Sequence, residues 1–194
     1  MNKKCQEFCS ENKTLKYRLQ EQEDLLLNLK NKLVGTNAVV YSVQNDRQGK
    51  DTFICVNDNR KFNEERLSLE GELNIYALSS IMNPSKISGK YNDMPYLQST
   101  FYSDHIILEE LHSDVSGNSY EKQGYGTMLL DTLIEIARRG KYIMITGTLS
   151  RVDAKTEEEK NNRNNFYRNY KKAKAEVFFA DETERDGHFI IKLE

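Results

Sequence analysis

HIILEELHSDVSGNSYEKQGYGTMLLDTLIEIARRGKYIMITGTL, residues 105–149, carries the pattern that decides the fold. Residues 105–112 form a β-favouring run with two carboxylates, Glu109 and Glu110, near its end. A polar loop with Gly124 and Gly126 follows. Leu129, Leu130, Leu133, Ile134, Ile136 and Ala137 then recur at three- and four-residue intervals, which predicts an amphipathic helix. Arg138 and Arg139 sit at its C-terminal end, where cations complement the helix dipole, and Gly140 is expected to cap it. Residues 142–149 predict another strand. A strand, helix and strand of this length form a right-handed crossover with the two strands parallel. The GYGT turn therefore falls at a helix N-terminus, where backbone N–H groups and the positive dipole end attract phosphate. A side chain at position 124 or 126 would hold a phosphate away from those donors.

Upstream, steps of four and three from Met1 reach Cys5, Phe8, Asn12, Leu15, Leu19, Gln22, Leu26, Leu29 and Leu33 without a break in phase. This heptad seam predicts a coiled-coil helix over residues 1–35, stopped at Gly35, with a helical reach of roughly 50 Å. Asn12 at an a position and the pairs Glu11 with Lys16 and Arg18 with Glu23 suit a parallel homodimer; one amphipathic helix packed on its own domain is the alternative. Residues 38–43 and 52–56 flank the turn-rich NDRQGKD and read as a hairpin. Residues 73–78 make a further strand, residues 82–95 an irregular loop, and residues 176–180 and 188–193 a closing hairpin around Asp186 and Gly187.

The 28 basic and 30 acidic residues nearly cancel, so no net field draws the chain to nucleic acid or an anionic membrane. The polar start MNKKCQEFCSENK and the lack of a long apolar run predict a soluble, cytoplasmic protein. Cys5, Cys9 and Cys55 have neither metal nor disulfide spacing, and with His105, His112 and His188 they define no metal site.

At Glu121-Lys122-Gln123-Gly124-Tyr125-Gly126 the sequence resembles the GNAT acyltransferases, whose Arg/Gln-x-x-Gly-x-Gly/Ala signature binds the pyrophosphate of coenzyme A. Glu121 stands where that signature has Arg or Gln. Asn164-Asn165-Phe166-Tyr167-Arg168-Asn169-Tyr170 is similar to the family's Asn-rich final helix, although Lys171 and Lys172 replace the usual Gly-Phe. The resemblance spans residues 36–194 and implies an α/β (α+β) domain, a mixed central sheet flanked by helices, behind the N-terminal coiled coil. It implies acetyl-CoA as cosubstrate and an amine acceptor. Leu111, Ser113, Glu121, Lys122, Gln123, Gly124, Tyr125, Gly126, Thr127, Asn162 and Asn165 would then contact the cofactor. An amine with a pKa of about 10.4 must lose a proton before it attacks, and a thiolate must gain one to leave. The resemblance gives the acid role to Tyr167, with Tyr170 as competitor, and the base role to a glutamate on the strand. Glu109 and Glu110 should lie on opposite faces by strand alternation, so that one of them, Glu110 by preference, faces the cleft. A non-catalytic acyl-CoA-binding or protein-interaction module with the same fold is the other class of reading.

Overall fold

A computed structural model describes residues 38–79, 94–113, 123–150, 152 and 154–193, with residues 12–17, 19–20, 23–24 and 27 near the N-terminus. The strands are β1 (Val39–Asn45), β2 (Asp51–Asp58), β3 (Lys61–Asn63), β4 (Ser68–Ser79), β5 (Tyr96–Phe101), β6 (His105–His112), β7 (Met144–Leu149), β8 (Ala175–Phe179) and β9 (Gly187–Lys192). Helices α1 (Tyr125–Arg139) and α2 (Glu157–Arg168) interrupt them. The sheet runs β1-β2-β4-β5-β6-β7-β9-β8, with β3 paired to β4 at the side. Among the described pairs, β6 with β7 is the parallel one, and the others are antiparallel. The crossover expected from the GYGT stretch is therefore present, within a mixed and mostly antiparallel sheet.

The core follows from alternation. Leu97, Ser99 and Phe101 of β5 and Ile106 and Leu108 of β6 are buried on one face, beside Leu73 and Ile75 of β4. Helix α1 covers that face with Leu129, Leu130, Leu133 and Ile134, each at most 1% exposed. Full burial of one such side chain contributes roughly 1.5–3 kcal/mol, as an upper figure. Helix α2 lies on the same side: Tyr167 stacks on Phe189 of β9, whose register partner Gly147 is itself paired to Leu108. Both crossovers, β6-α1-β7 and β7-α2-β8, thus return over one face, as right-handed connections in a common direction require.

Several boundaries differ from expectation. Gly140 ends α1 in a right-handed conformation (φ −81°), and the left-handed residue is Lys141 (φ 59°). Bonds from Lys141 N–H to Arg138 O and from Tyr142 N–H to Ala137 O close the end in Schellman fashion. Gly140 is required for space, because a Cβ there would stand 2.4 Å from the Tyr142 ring. The expected strand from residue 142 begins at Met144, and the last helix stops at Arg168, before the chain turns Tyr170 inward. Strand β3 and the first half of β4 were not expected; their hairpin is too short for alternation to register.

Near the N-terminus the described residues are helical, and the seam members Leu15 and Leu19 are 63% and 58% exposed. Met1, Cys5, Phe8, Gln22, Leu26, Leu29, Leu33 and Gly35 of the predicted coiled coil lie outside the described residues. No described helix is long and apolar enough to cross a membrane.

Candidate active site

Strands β6 and β7 separate before they end. Their parallel register runs from His105 with Met144 to Leu108 with Gly147 and goes no further, although β6 continues to His112 and β7 to Leu149. Beyond that point each strand stays with its outer neighbour, β6 with β5 up to His112 opposite Tyr96, and β7 with β9 up to Leu149 opposite Gly187. A fork opens between them. Its cause is visible in β6, where Leu108 faces Ser99 and Glu110 faces Gln98, leaving Glu109 as an extra residue. Such a bulge bends and twists its strand, which carries β6 away from β7. The inner edge of β6 from Glu109 to His112 has no strand partner among the described residues.

The bulge decides the face on which Glu110 lies. Alternation ought to put Glu109 and Glu110 on opposite faces, but the extra residue shifts the phase. Glu110 shares the face of Gln98, Tyr96 and His112, away from the helices, and both glutamates are exposed. The Tyr96 hydroxyl donates to Glu110 Oε2, and His112 Nε2 lies 3.6 Å from that same oxygen. Burial, and then the bond to Glu110, push the Tyr96 phenol well above its ordinary range. Tyr96 therefore remains a donor.

The N-terminus of α1 lies where the chain returns from β6. Gly124 holds the N-cap position at φ 92°, a left-handed conformation that suits glycine. No side chain caps the helix, and its first turn contains no acidic residue. Gly126 is buried, and a Cβ there would meet Ser113 at 3.1 Å and Phe166 of α2 at 3.7 Å. Helix start, strand end and final helix therefore converge at one glycine. The Tyr125 side chain is turned inward, 1% exposed, with its hydroxyl 3.2 Å from Asp46 Oδ2. Its backbone alone is placed to meet a ligand. Thr127 is half-buried on the first turn, and Leu111, opposite Leu97, is half-buried against the core. Glu121 and Lys122 lie outside the described residues.

One neighbour escaped the sequence reading. The β1–β2 turn docks on the glycine loop: Arg47 N–H donates to Gln123 O at 3.1 Å, and the Arg47 Cγ and Nε atoms pass 3.5 Å from the position a Cβ would take on Gly124. Asp46 fixes that turn, accepting from Gln48 N–H and Lys50 N–H at 2.8 and 2.9 Å and from the Tyr125 hydroxyl. An exposed arginine is thereby held against the helix N-terminus. No short-range pattern reveals it, since Asp46 and Tyr125 are 79 residues apart.

On α2, Tyr167 is 6% exposed, stacked on Phe189 at 4.0 Å between centroids and edge-on to Phe166 at 5.0 Å. The Phe189 ring lies over Gly147, so Tyr167 stands one ring from the vertex of the fork. Tyr170 is committed elsewhere. Its hydroxyl bonds Asp131 of α1, and burial followed by that carboxylate push its pKa far up. Asn164 is buried and bonds Glu184 O at 3.0 Å, tying the helix to the final hairpin. Asn162 and Asn165, one turn apart on α2, are both exposed. No His, Cys, Asp and Glu group that could hold a metal occurs among the described residues.

No protein-family description matches the sequence, and no curated protein matches it. Among solved structures the chain is similar to an acetyltransferase from Bacillus cereus (18% identical, covering 66% of this chain and 76% of that one, TM-score 0.42). It is also similar to a protein from Desulfovibrio desulfuricans assigned to the acetyltransferases of the GNAT family (17% identical, covering 64% and 69%, TM-score 0.40). Nourseothricin acetyltransferase is a third (12% identical, covering 82% and 86%, TM-score 0.43). At these identities and TM-scores the likeness is one of fold, and the chemistry rests on the residues of this chain.

Proposed function

We propose that the chain is an acyl-CoA-dependent N-acyltransferase that moves the acetyl group of acetyl-CoA to a primary amine, on a small molecule or a protein, by direct attack. The observation that carries this reading is the fork beyond Leu108 and Gly147, opening beside the uncapped start of α1. The helix N-terminus suits a diphosphate. Arg47 adds the positive charge that Glu121 cannot supply. The unpaired inner edge of β6 suits an extended amide-bearing arm, which would add to it as a strand does.

Acetyl-CoA supplies the activated acyl group; the protein's residues supply position and proton transfer. Glu110, on the face away from the helices, takes the proton of the amine. Tyr167, near the vertex, gives a proton to the departing thiolate. Backbone groups of residues 124–127 and the end of β6 at Leu111 and Ser113 hold the cosubstrate, with Asn162 at the edge of the site. A second reading has a specific observation behind it: Tyr167 is packed between two phenylalanine rings, as a purely structural tyrosine would be. That reading is a non-catalytic acyl-CoA-binding module. An amine screen that follows free CoA separates the two, because the module binds acetyl-CoA without releasing CoA.

Acetyl-CoA should raise the thermal midpoint, since a ligand of the native state stabilises it by mass action. Gly126→Trp should abolish that rise by filling the convergence of Ser113 and Phe166. A variant that stays folded and responds like the wild type would sink the placement of the site.

Residues 1–35 are read as a separate coiled coil that pairs two copies, with residues 36–194 as the catalytic domain of a cytoplasmic enzyme. The exposed Leu15 and Leu19 support this pairing. Removing residues 1–34 should convert a dimer to a monomer in sedimentation. An unchanged mass would reject the role.

A further inference from the structure

We propose that His112 is the proton relay of the acceptor side: it takes from Glu110 the proton that Glu110 removes from the amine, with Tyr96 positioning both. This rests on the acyltransferase reading and adds to it His112, which the sequence had set aside, and Tyr96. Tyr96 and His112 are register partners across β5 and β6, and their rings stack at 4.8 Å with 21° between planes. The stack fixes the imidazole beside Glu110, with Nε2 3.6 Å from Oε2. That is ion-pair distance, and roughly half an ångström of side-chain rotation brings it to a hydrogen bond. Tyr96 donates to the same Oε2, so Oε1 is the oxygen left to meet an acceptor.

The location is as informative as the contacts. Glu110 and His112 lie on the stretch where β6 has left β7, Tyr96 adjoins them from β5, and all three share the face opposite α1 and α2. Amine and cosubstrate would thus reach the fork from different sides. The Glu110 and His112 side chains are 49% and 53% exposed, so water reaches the imidazole directly. In the step, an ammonium N–H bond breaks, the proton goes to Oε1, and the nitrogen keeps the electron pair with which it attacks. The Glu110 carboxyl then turns its protonated oxygen toward Nε2 and passes the proton there; the imidazolium releases the Nδ1 proton to water, and tautomer exchange through the water that reaches the exposed ring restores the starting form of both groups. Among the described residues, the other groups on this face are Gln98 of β5 and Tyr76 of β4 behind Tyr96, with Glu109 next to Glu110 in the chain; β7, MITGTL, brings no titratable side chain.

His112→Phe separates chemistry from packing, because it keeps a ring on Tyr96 and removes both nitrogens. With an amine found by the CoA-release screen, it should lower kcat roughly 10- to 100-fold and remove one ionisation from the pH profile of kcat/KM. The thermal response to acetyl-CoA should not change. A profile that superimposes on the wild type overturns the proposal. The second measurement needs no turnover: thermal midpoints of His112→Phe, Glu110→Gln and the double variant at about pH 5.5 and about pH 8.5, on either side of the usual histidine range. The single shifts should fail to add at the lower pH and add at the higher. Additivity at both overturns the pairing on which the relay depends. If the wild type acetylates no amine, the acyltransferase reading fails, and the cycle still decides whether the two residues act as a unit.

Discussion

At its C-terminal end helix α1 is tied on every side, and at its N-terminal end it is left open. Lys141 closes the last turn, Tyr142 packs edge-on to Phe101 and bonds Leu69 O at 2.5 Å, and Arg138 reaches Lys172 O at 3.2 Å. The first turn has a left-handed glycine, no side-chain cap and an arginine from another hairpin beside it. The contrast teaches that one helix serves two purposes: the closed end anchors the crossover, and the open end presents donors and positive charge at the mouth of the fork. Substitutions at the two ends should therefore separate stability from function.

The largest effect is expected near the vertex. Tyr167→Phe should lower kcat by roughly 10²–10⁴ with little change in acetyl-CoA affinity, as loss of a positioned acid does. Tyr170→Phe is its counterpart in the closed region and should lose only the charge-assisted bond to Asp131, about 1.5–3 kcal/mol of stability, with turnover intact. Exchange of the two outcomes in steady-state kinetics would move the acid from Tyr167 to Tyr170, just beyond the end of α2.

At the closed end, Gly140→Ala should cost about 1–3 kcal/mol by forcing a methyl into the Tyr142 ring. In a chain of this size that lowers the thermal midpoint by roughly 2–4 °C per kcal/mol. Calorimetry of the surviving fold should show the wild-type acetyl-CoA affinity. An affinity loss would mean that the two ends are coupled.

The unequal ends also account for what the sequence made legible. Residues 105–112 are the strand that their composition predicts, and α1 follows its own periodicity, because alternating and helical burial both leave local patterns. Gly124 and Gly126 were readable as a turn for the same reason. The bulge at Glu109 was not, since two adjacent glutamates carry no sign that one of them is extra. Arg47 was out of reach because its position depends on Asp46 meeting Tyr125 from a distant hairpin. Gly140 was legible as the helix cap, whereas the space it leaves for Tyr142 and the left-handed turn at Lys141 were not.

The most direct test of the open end is calorimetric titration of acetyl-CoA into the wild type and Arg47→Glu. Arg47 is exposed, so reversing its charge should leave the ligand-free thermal midpoint close to that of the wild type. A charge-assisted phosphate contact contributes about 1.5–3 kcal/mol, and replacing it with repulsion should weaken binding roughly 100-fold. One site per chain is expected in the wild type, and that loss in the variant. Equal affinity in the two proteins, or no binding to the wild type, would contradict this.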